Sequence, residues 1–219
     1  MRSFALLSVL VVAGASQANI SINFDNQVNA DLTTFTGGSG YPQNGGVVNV
    51  AGINHQLALT AGGKTGSMFF ANDTKIVPIN LFGMAEVYTL INSAQGIVNQ
   101  HNGLIEIHGS GGLLQTVNLT QGINVRDHFN GNWNNIATGL NGSVGYQTGV
   151  RFDQQKIVLN SAFHNATLTE IRFIGQNNTG GNGSPMLQSL TIAAVPEPAT
   201  MVVLGAAGLA VLRRRNRKS

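Results

Sequence analysis

The sequence predicts an all-β protein built as an antiparallel β-sandwich, and three observations carry that prediction. Apolar runs of about four to seven residues recur along the chain, several of them alternating with polar residues at period two. Clusters of Gly, Asn and Asp separate the runs, in a chain with 28 glycines and only 10% charged residues. Between residues 19 and 195 no segment carries an apolar stripe at helical spacing over three turns.

Taken in order, Ile20-Ser21-Ile22-Asn23-Phe24 alternates and reads as the first strand, followed by Val47–Val50, Gln56–Thr60 and Ser67–Ala71. Lys75–Leu81 is interrupted by Pro78, which cannot donate to a ladder, so this strand is expected at an edge or at a bulge. Glu86–Ile91, Leu104–Ile107 and Gln115–Leu119 come next, then Gly149–Asp153, Lys156–Leu159, Leu168–Ile174 and Leu187–Ala194. Ile105 and Ile107 oppose Glu106, and Ile171 and Phe173 oppose Glu170 and Arg172, so each strand is expected to bury one face and leave the other wet.

The chain's ends and composition set its organisation. Met1-Arg2-Ser3 is a positive start, Phe4–Val12 an apolar core, and Ala15-Ser16-Gln17-Ala18 supplies the small residues that signal peptidase reads, with cleavage expected between Ala18 and Asn19. Cysteine is absent, so the exported body relies on a buried core rather than disulfides. Arg2 and five residues after position 212 take six of the twelve basic residues. That leaves six against eight acidic ones between 19 and 195, a net charge of −2. The high isoelectric point therefore belongs to the ends, and nucleic acid is not an expected partner. The expected organisation is a signal peptide over 1–18, one β-sandwich domain over 19–195, and a C-terminal segment over 196–219.

That C-terminal segment has three parts: Pro196-Glu197-Pro198, the apolar stretch Ala199–Leu212, and Arg213, Arg214 and Arg215 within a basic end, 213–219. The prolines keep Glu197 extended and accessible. The apolar stretch can form a helix in lipid, and the arginines hold its end on the cytoplasmic side. In order and spacing the three parts closely resemble the PEP-CTERM sorting signal of exopolysaccharide-producing bacteria. The resemblance implies processing by an exosortase near the motif, transient residence in the membrane, and delivery to the cell surface or extracellular matrix. A permanently membrane-anchored surface protein is the alternative. It is weakened by the span, which offers 14 residues with two glycines where stable spanning needs about 20.

Within the body, Val87–Asn92 leading into Gly103–Ile107, then Gly122–Asp127, resemble the jelly-roll sandwiches, similar to carbohydrate-binding modules, found in exported bacterial proteins. The resemblance implies a jelly-roll-like sandwich and contact with an extracellular polysaccharide.

The most site-like stretch is Val125–Asn135, which holds the single Trp of the chain among charged and amide side chains. Sugar rings stack on aromatic faces while their hydroxyls need polar partners. Arg126, Asp127, His128, Asn132, Trp133 and Asn134 are therefore the candidate glycan contacts. The competing reading makes Asn130-Gly131 a tight turn, with Trp133 and Phe129 packed into the core and Arg126 and Asp127 pinning the loop. His55, His101, His108, His128 and His164 are scattered, so no metal site is expected from them. Asp25, Asp31, Asp127 and Asp153, in or near loops, are the candidates for a structural calcium, and no other cofactor is expected. Gly62-Gly63-Lys64-Thr65 has Ala58 where a phosphate loop needs its first Gly, and neither a Gly-x-Ser-x-Gly elbow nor a cysteine nucleophile is present. The sequence thus reads as an exported, non-catalytic surface or matrix protein. A secreted glycan hydrolase or lyase acting on exopolysaccharide is the catalytic alternative.

Overall fold

The computed structural model describes residues 18–32, 41, 45–58, 62–129, 136–145, 149–176 and 183–195. The signal peptide before Ala18, the sorting segment with Pro196, Glu197, Pro198, Arg213, Arg214 and Arg215, and the candidate contacts Asn132, Trp133 and Asn134 lie outside the described residues. Among the described residues the chain forms twelve strands. They are β1 Asn19–Ser21, β2 Val47–Val50, β3 Ile53–Gln56, β4 Ser67–Met68, β5 Thr74–Phe82 and β6 Met84–Ala94. Then come β7 His101–Gly109, β8 Leu113–Thr120, β9 Gly142–Gly145, β10 Arg151–Val158, β11 Thr167–Gly175 and β12 Ser184–Ala194. Among these residues no helix is long and apolar enough to cross a membrane. Asn19–Val195 groups as one compact unit.

All strand pairings are antiparallel. One sheet has the order β5-β11-β7-β8; the other has β1-β12-β6-β10-β9, with β4 joining β12 beside β1. The chain changes sheet from β4 to β5, from β5 to β6, from β6 to β7, from β8 to β9, from β10 to β11 and from β11 to β12, and stays in one sheet at the hairpins β7–β8 and β9–β10. This is the connectivity of a jelly roll, and the chain is an all-β, antiparallel jelly-roll-like sandwich. Pro78 sits where expected, on edge strand β5. There the register shifts between Leu168 and Glu170 and Asn80 takes up φ 61°.

The core between the sheets is built from Val77, Ile105, Ile107, Ile171 and Phe173 on one side and Val87, Ile91, Ile157, Leu187, Leu190 and Ile192 on the other. Each large side chain buried there contributes about 1.5–3 kcal/mol. In the four-stranded sheet the alternation reads as the sequence predicts, with Ile105, Ile107, Ile171 and Phe173 fully buried and Glu106, Glu170 and Arg172 half-buried on the other face.

The other sheet departs from that expectation: both of its faces are covered. Leu90, Phe152 and Met186, with Met68 of β4, pack outward against Leu32, Tyr41, Val50 and Leu57, which belong to the hairpin β2–β3 and the segments around it. Strands β6 and β12 are therefore buried along almost their whole length and carry apolar and small side chains on both faces.

Several boundaries also differ from expectation. The second strand of the hairpin is Ile53–Gln56 rather than Gln56–Thr60, because Ala51 and Gly52 turn with φ of 49° and 85°. Gly149–Asp153 and Lys156–Leu159 are not two strands but one, β10, which carries Gln154 and Gln155 through the sheet.

Candidate functional site

Strands β6 and β10 pair from Glu86 to Leu90 against Val158 to Gln154 and then part. The segment Arg126–Phe129 enters the fork. The N–H of Ser93 donates to the Arg126 carbonyl at 2.9 Å, that of His128 donates to the Ser93 carbonyl at 2.9 Å, and that of Arg151 donates to the His128 carbonyl at 3.1 Å. The segment thus bonds through its backbone to both diverging strands.

Side chains fasten this wedge. Asp153, fully buried at the base of the fork, accepts two bonds from Arg126, Nε at 2.7 Å and Nη2 at 2.8 Å, and a third from Asn92 Nδ2 at 2.7 Å. Charge-assisted fork-to-fork bonding of this kind is among the stronger hydrogen bonds. It raises the Arg126 pKa further. The Arg151 guanidinium lies 3.9 Å from the same carboxylate and donates to the Asp127 carbonyl at 2.9 and 2.7 Å. Burial, with the nearby Arg126 charge, pulls its pKa down.

The Asp127 carboxylate turns back on its own segment, accepting the N–H of Phe129 at 2.7 Å and that of Gln95. Burial pushes its pKa up despite those two donors. His128 shares a 2.7 Å hydrogen bond with Tyr41, and the two rings stack with centroids 5.8 Å apart. Burial, followed by the charge of Arg151, pulls the His128 pKa from 6.5 down to about 4, so the imidazole is neutral at physiological pH.

Of the candidate glycan contacts, the structure brings Arg126, Asp127 and His128 together in this wedge. Asp127 and His128 are 2% and 4% exposed, with their polar atoms committed inside the protein, and Arg126 keeps 18% of its side chain in solvent. Beside the wedge the surface is apolar: Ile97, Val98, Ile123 and Ile136 are each about half exposed or more, and Gly122 approaches both Val98 and Ile136. Sequence reasoning missed Asn92 and Arg151. The available signal is Arg151-x-Asp153, two opposite charges on one face of a strand.

Of the aspartates considered for calcium, Asp127 and Asp153 both lie in the wedge, on either side of the Arg151 guanidinium. Asp25 sits in a short 3-10 turn bonded to Asn23 at 2.9 Å, while Asp153 is held by Arg126 and Asn92 in mid-strand rather than in a loop. Among the described residues no group of three His, Asp or Glu is placed to hold a metal. His55, expected only as one of the scattered histidines, is buried under the hairpin. Its Nε2–H donates to Gln154 Oε1 at 2.6 Å, and Ser189 Oγ lies 3.3 Å from Nδ1.

The wedge occupies one end of the sandwich, beside the Ser184–Ala94 pair. Asn19 and Val195, the ends of the described body, lie at the other, where Asn19 pairs with Ala193 and Val195 N–H donates to the Gly83 carbonyl at 2.9 Å. The eleven residues of β6 separate the two ends by about 30 Å. No curated protein matches the chain. Residues 194–218 match the family model of the PEP-CTERM protein-sorting motif, which supports an exported protein that an exosortase processes.

Proposed function

We propose that this chain is a non-catalytic component of the cell surface or extracellular matrix, exported through a signal peptide over residues 1–18, released from a transient membrane anchor near Pro196-Glu197-Pro198, and associated there with polysaccharide. The matched sorting motif carries the reading. Mass spectrometry of the mature protein tests it by reading both termini. The expected result is an N-terminus at Asn19 and loss of the C-terminal segment from near Pro196. A chain intact to Ser219 in the membrane fraction would overturn processing in favour of a permanent anchor.

Polysaccharide association rests on the loop that follows Phe129, whose Trp133 lies among amide side chains. What supports it is that Arg126–Phe129, the segment immediately before it in the sequence, is held by internal bonds, and that Ile97, Val98, Ile123 and Ile136 are exposed. Trp133→Ala is expected to weaken retention on the host's own exopolysaccharide while leaving the fold intact. Unchanged retention would remove the loop as the contact, and turnover of that polysaccharide by the purified protein would favour a hydrolase or lyase instead.

A further inference from the structure

Sheet edges expose rows of unpaired backbone groups, and folded proteins guard them with short strands, charges, prolines or bulges. Most edges of this sandwich are guarded in those ways. β5 carries Lys75, Pro78 and a bulge. β1 and β4 have three and two residues. β9 has four and lies against the hairpin, with Gly142 packed on Val50 and Ala51. β8 is different. Its eight residues, Leu-Leu-Gln-Thr-Val-Asn-Leu-Thr, include no charge and no proline, and the register shift beside it inserts its extra residue into β7.

The side chain of Asn124 shows which backbone groups of β8 face outward. Its Oδ1 accepts the N–H of Thr120 at 2.8 Å and its Nδ2 donates to the carbonyl of Asn118 at 2.8 Å, imitating a neighbouring strand. Residues 118 and 120 thus direct their backbone away from β7, and by the two-residue period Leu114 and Thr116 do the same. Among the described residues nothing bonds the outward N–H and C=O of Leu114 and Thr116. The Leu114 side chain is 52% exposed. Between them Gln115 ties the strand down, donating to the Val158 carbonyl at 2.9 Å and accepting the Asn160 N–H at 2.8 Å.

We propose that Leu114–Thr116 is a homodimer contact, in which two copies pair β8 antiparallel about a two-fold axis at Gln115 and join their four-stranded sheets into one. Thr116 of each copy then faces Leu114 of the other, and each such pair exchanges two backbone hydrogen bonds. Charge points to a second copy as the occupant. A two-fold axis sets residues opposite or nearly opposite themselves, where any charge would meet its like, and β8 has none. Length points the same way: Asn124 seals the edge from Asn118 onward, so the open stretch is too short for a long peptide strand but symmetric about Gln115. An isologous contact of this kind closes at two copies and does not propagate.

Sedimentation equilibrium of the full chain in density-matched detergent tests the contact, with folding followed by circular dichroism. The wild type is expected to dimerise. Thr116→Pro deletes an outward N–H that no intrachain bond uses and is expected to weaken association by at least about tenfold, whereas Thr116→Val, which keeps the N–H, retains it. Leu114→Lys, which adds an edge charge of the guarding kind, is expected to act like Thr116→Pro and serves should the proline variant not fold. A monomeric wild type, or a dimer equally tight in Thr116→Pro and Leu114→Lys, overturns the proposal.

Discussion

The Arg126 guanidinium grips both oxygens of Asp153, Nε at 2.7 Å and Nη2 at 2.8 Å, across 27 positions of sequence and at a carboxylate with no exposed surface. The pair closes the fork between β6 and β10 over the wedge segment. Removing one partner of a buried ion pair strands the other, at a cost of about 3–5 kcal/mol. Asp153→Ala is therefore expected to lower the unfolding free energy in urea by that amount, since it leaves Arg126, Arg151 and Asn92 facing a void. Arg126→Ala should cost less, because Arg126 is partly exposed and Arg151 remains 3.9 Å from the carboxylate. A loss below about 1 kcal/mol for Asp153→Ala would show that the fork is held by its backbone bonds alone.

Protonation of His128 gives the fold a defined acid response. Its folded pKa lies at about 4, below the ordinary 6.5. The unfolded chain thus takes up the proton first as pH falls. The stabilisation is complete above 6.5, declines between 6.5 and about 4, and is lost below that. Each pH unit in that window is worth about 1.4 kcal/mol, so the whole is about 3 kcal/mol. His55, also depressed by burial, adds in the same sense, whereas the raised pKa of Asp127 acts in the opposite one. The measurement is accordingly a difference: urea midpoints from pH 7 to 4 should fall more steeply in the wild type than in His128→Gln. Parallel curves would show that the His128 pKa is the same in the folded and the unfolded chain.

The four-stranded sheet was legible in the sequence because it obeys one rule, buried residues alternating with wet ones, and Pro78 marked its edge. The six-stranded sheet was harder to read because its outer face is covered. Burial on both sides erases the alternation in β6 and β12, and Gln154 and Gln155 break the apolar pattern in the middle of β10 while lying buried. The first strand of the hairpin β2–β3 was read with its observed bounds, Val47–Val50, but the second escaped for a local reason: the turn uses Ala51 at positive φ, where sequence patterns expect Asn or Gly.

At the wedge, Arg126 and Asp127 stood out as a polar cluster near Trp133. Their partners did not, because Asn92 meets Asp153 across 61 positions and Tyr41 meets His128 across 87. Contacts of that range are made by topology, and no local pattern announces them.

Asp127 offers a second, separable test of the wedge. Its carboxylate is the acceptor for the N–H groups of Phe129 and Gln95, so Asp127→Ala leaves two donors without a partner inside the protein. Unsatisfied buried donors cost about 1–3 kcal/mol each. Hydrogen exchange at Phe129 and Gln95 should accelerate in this variant by more than at Ile105 or Phe173 in the core. Uniform acceleration across all four amides would instead mark a global loss of stability with no special role for the carboxylate in ordering the wedge.

Gly175 provides the sharpest steric prediction. At the last residue of β11 the backbone of Phe69-Phe70 crosses directly over its Cα. A Cβ built there overlaps the Phe70 carbonyl oxygen and sits 2.8 Å from that of Phe69. Both obstacles are main chain, and they are tied in place. Gly175 N–H donates to the Asp73 carbonyl at 2.9 Å, and the Asn72 N–H donates to the Gly175 carbonyl at 3.1 Å. A flexible side chain could swing away, but these groups can move only if the bonds break and the core residue Phe69, its ring tilted 49° against that of Phe173 at 5.9 Å, shifts with them. Gly175→Ala, chemically the mildest of substitutions, is thus expected to lower stability by more than about 3 kcal/mol, the range of severe backbone and packing defects. Gly145→Ala, where the added methyl group meets nothing within 4 Å, should stay within about 0.5 kcal/mol of wild type. Equal melting temperatures for the two variants would show that the Phe69-Phe70 crossing yields without cost.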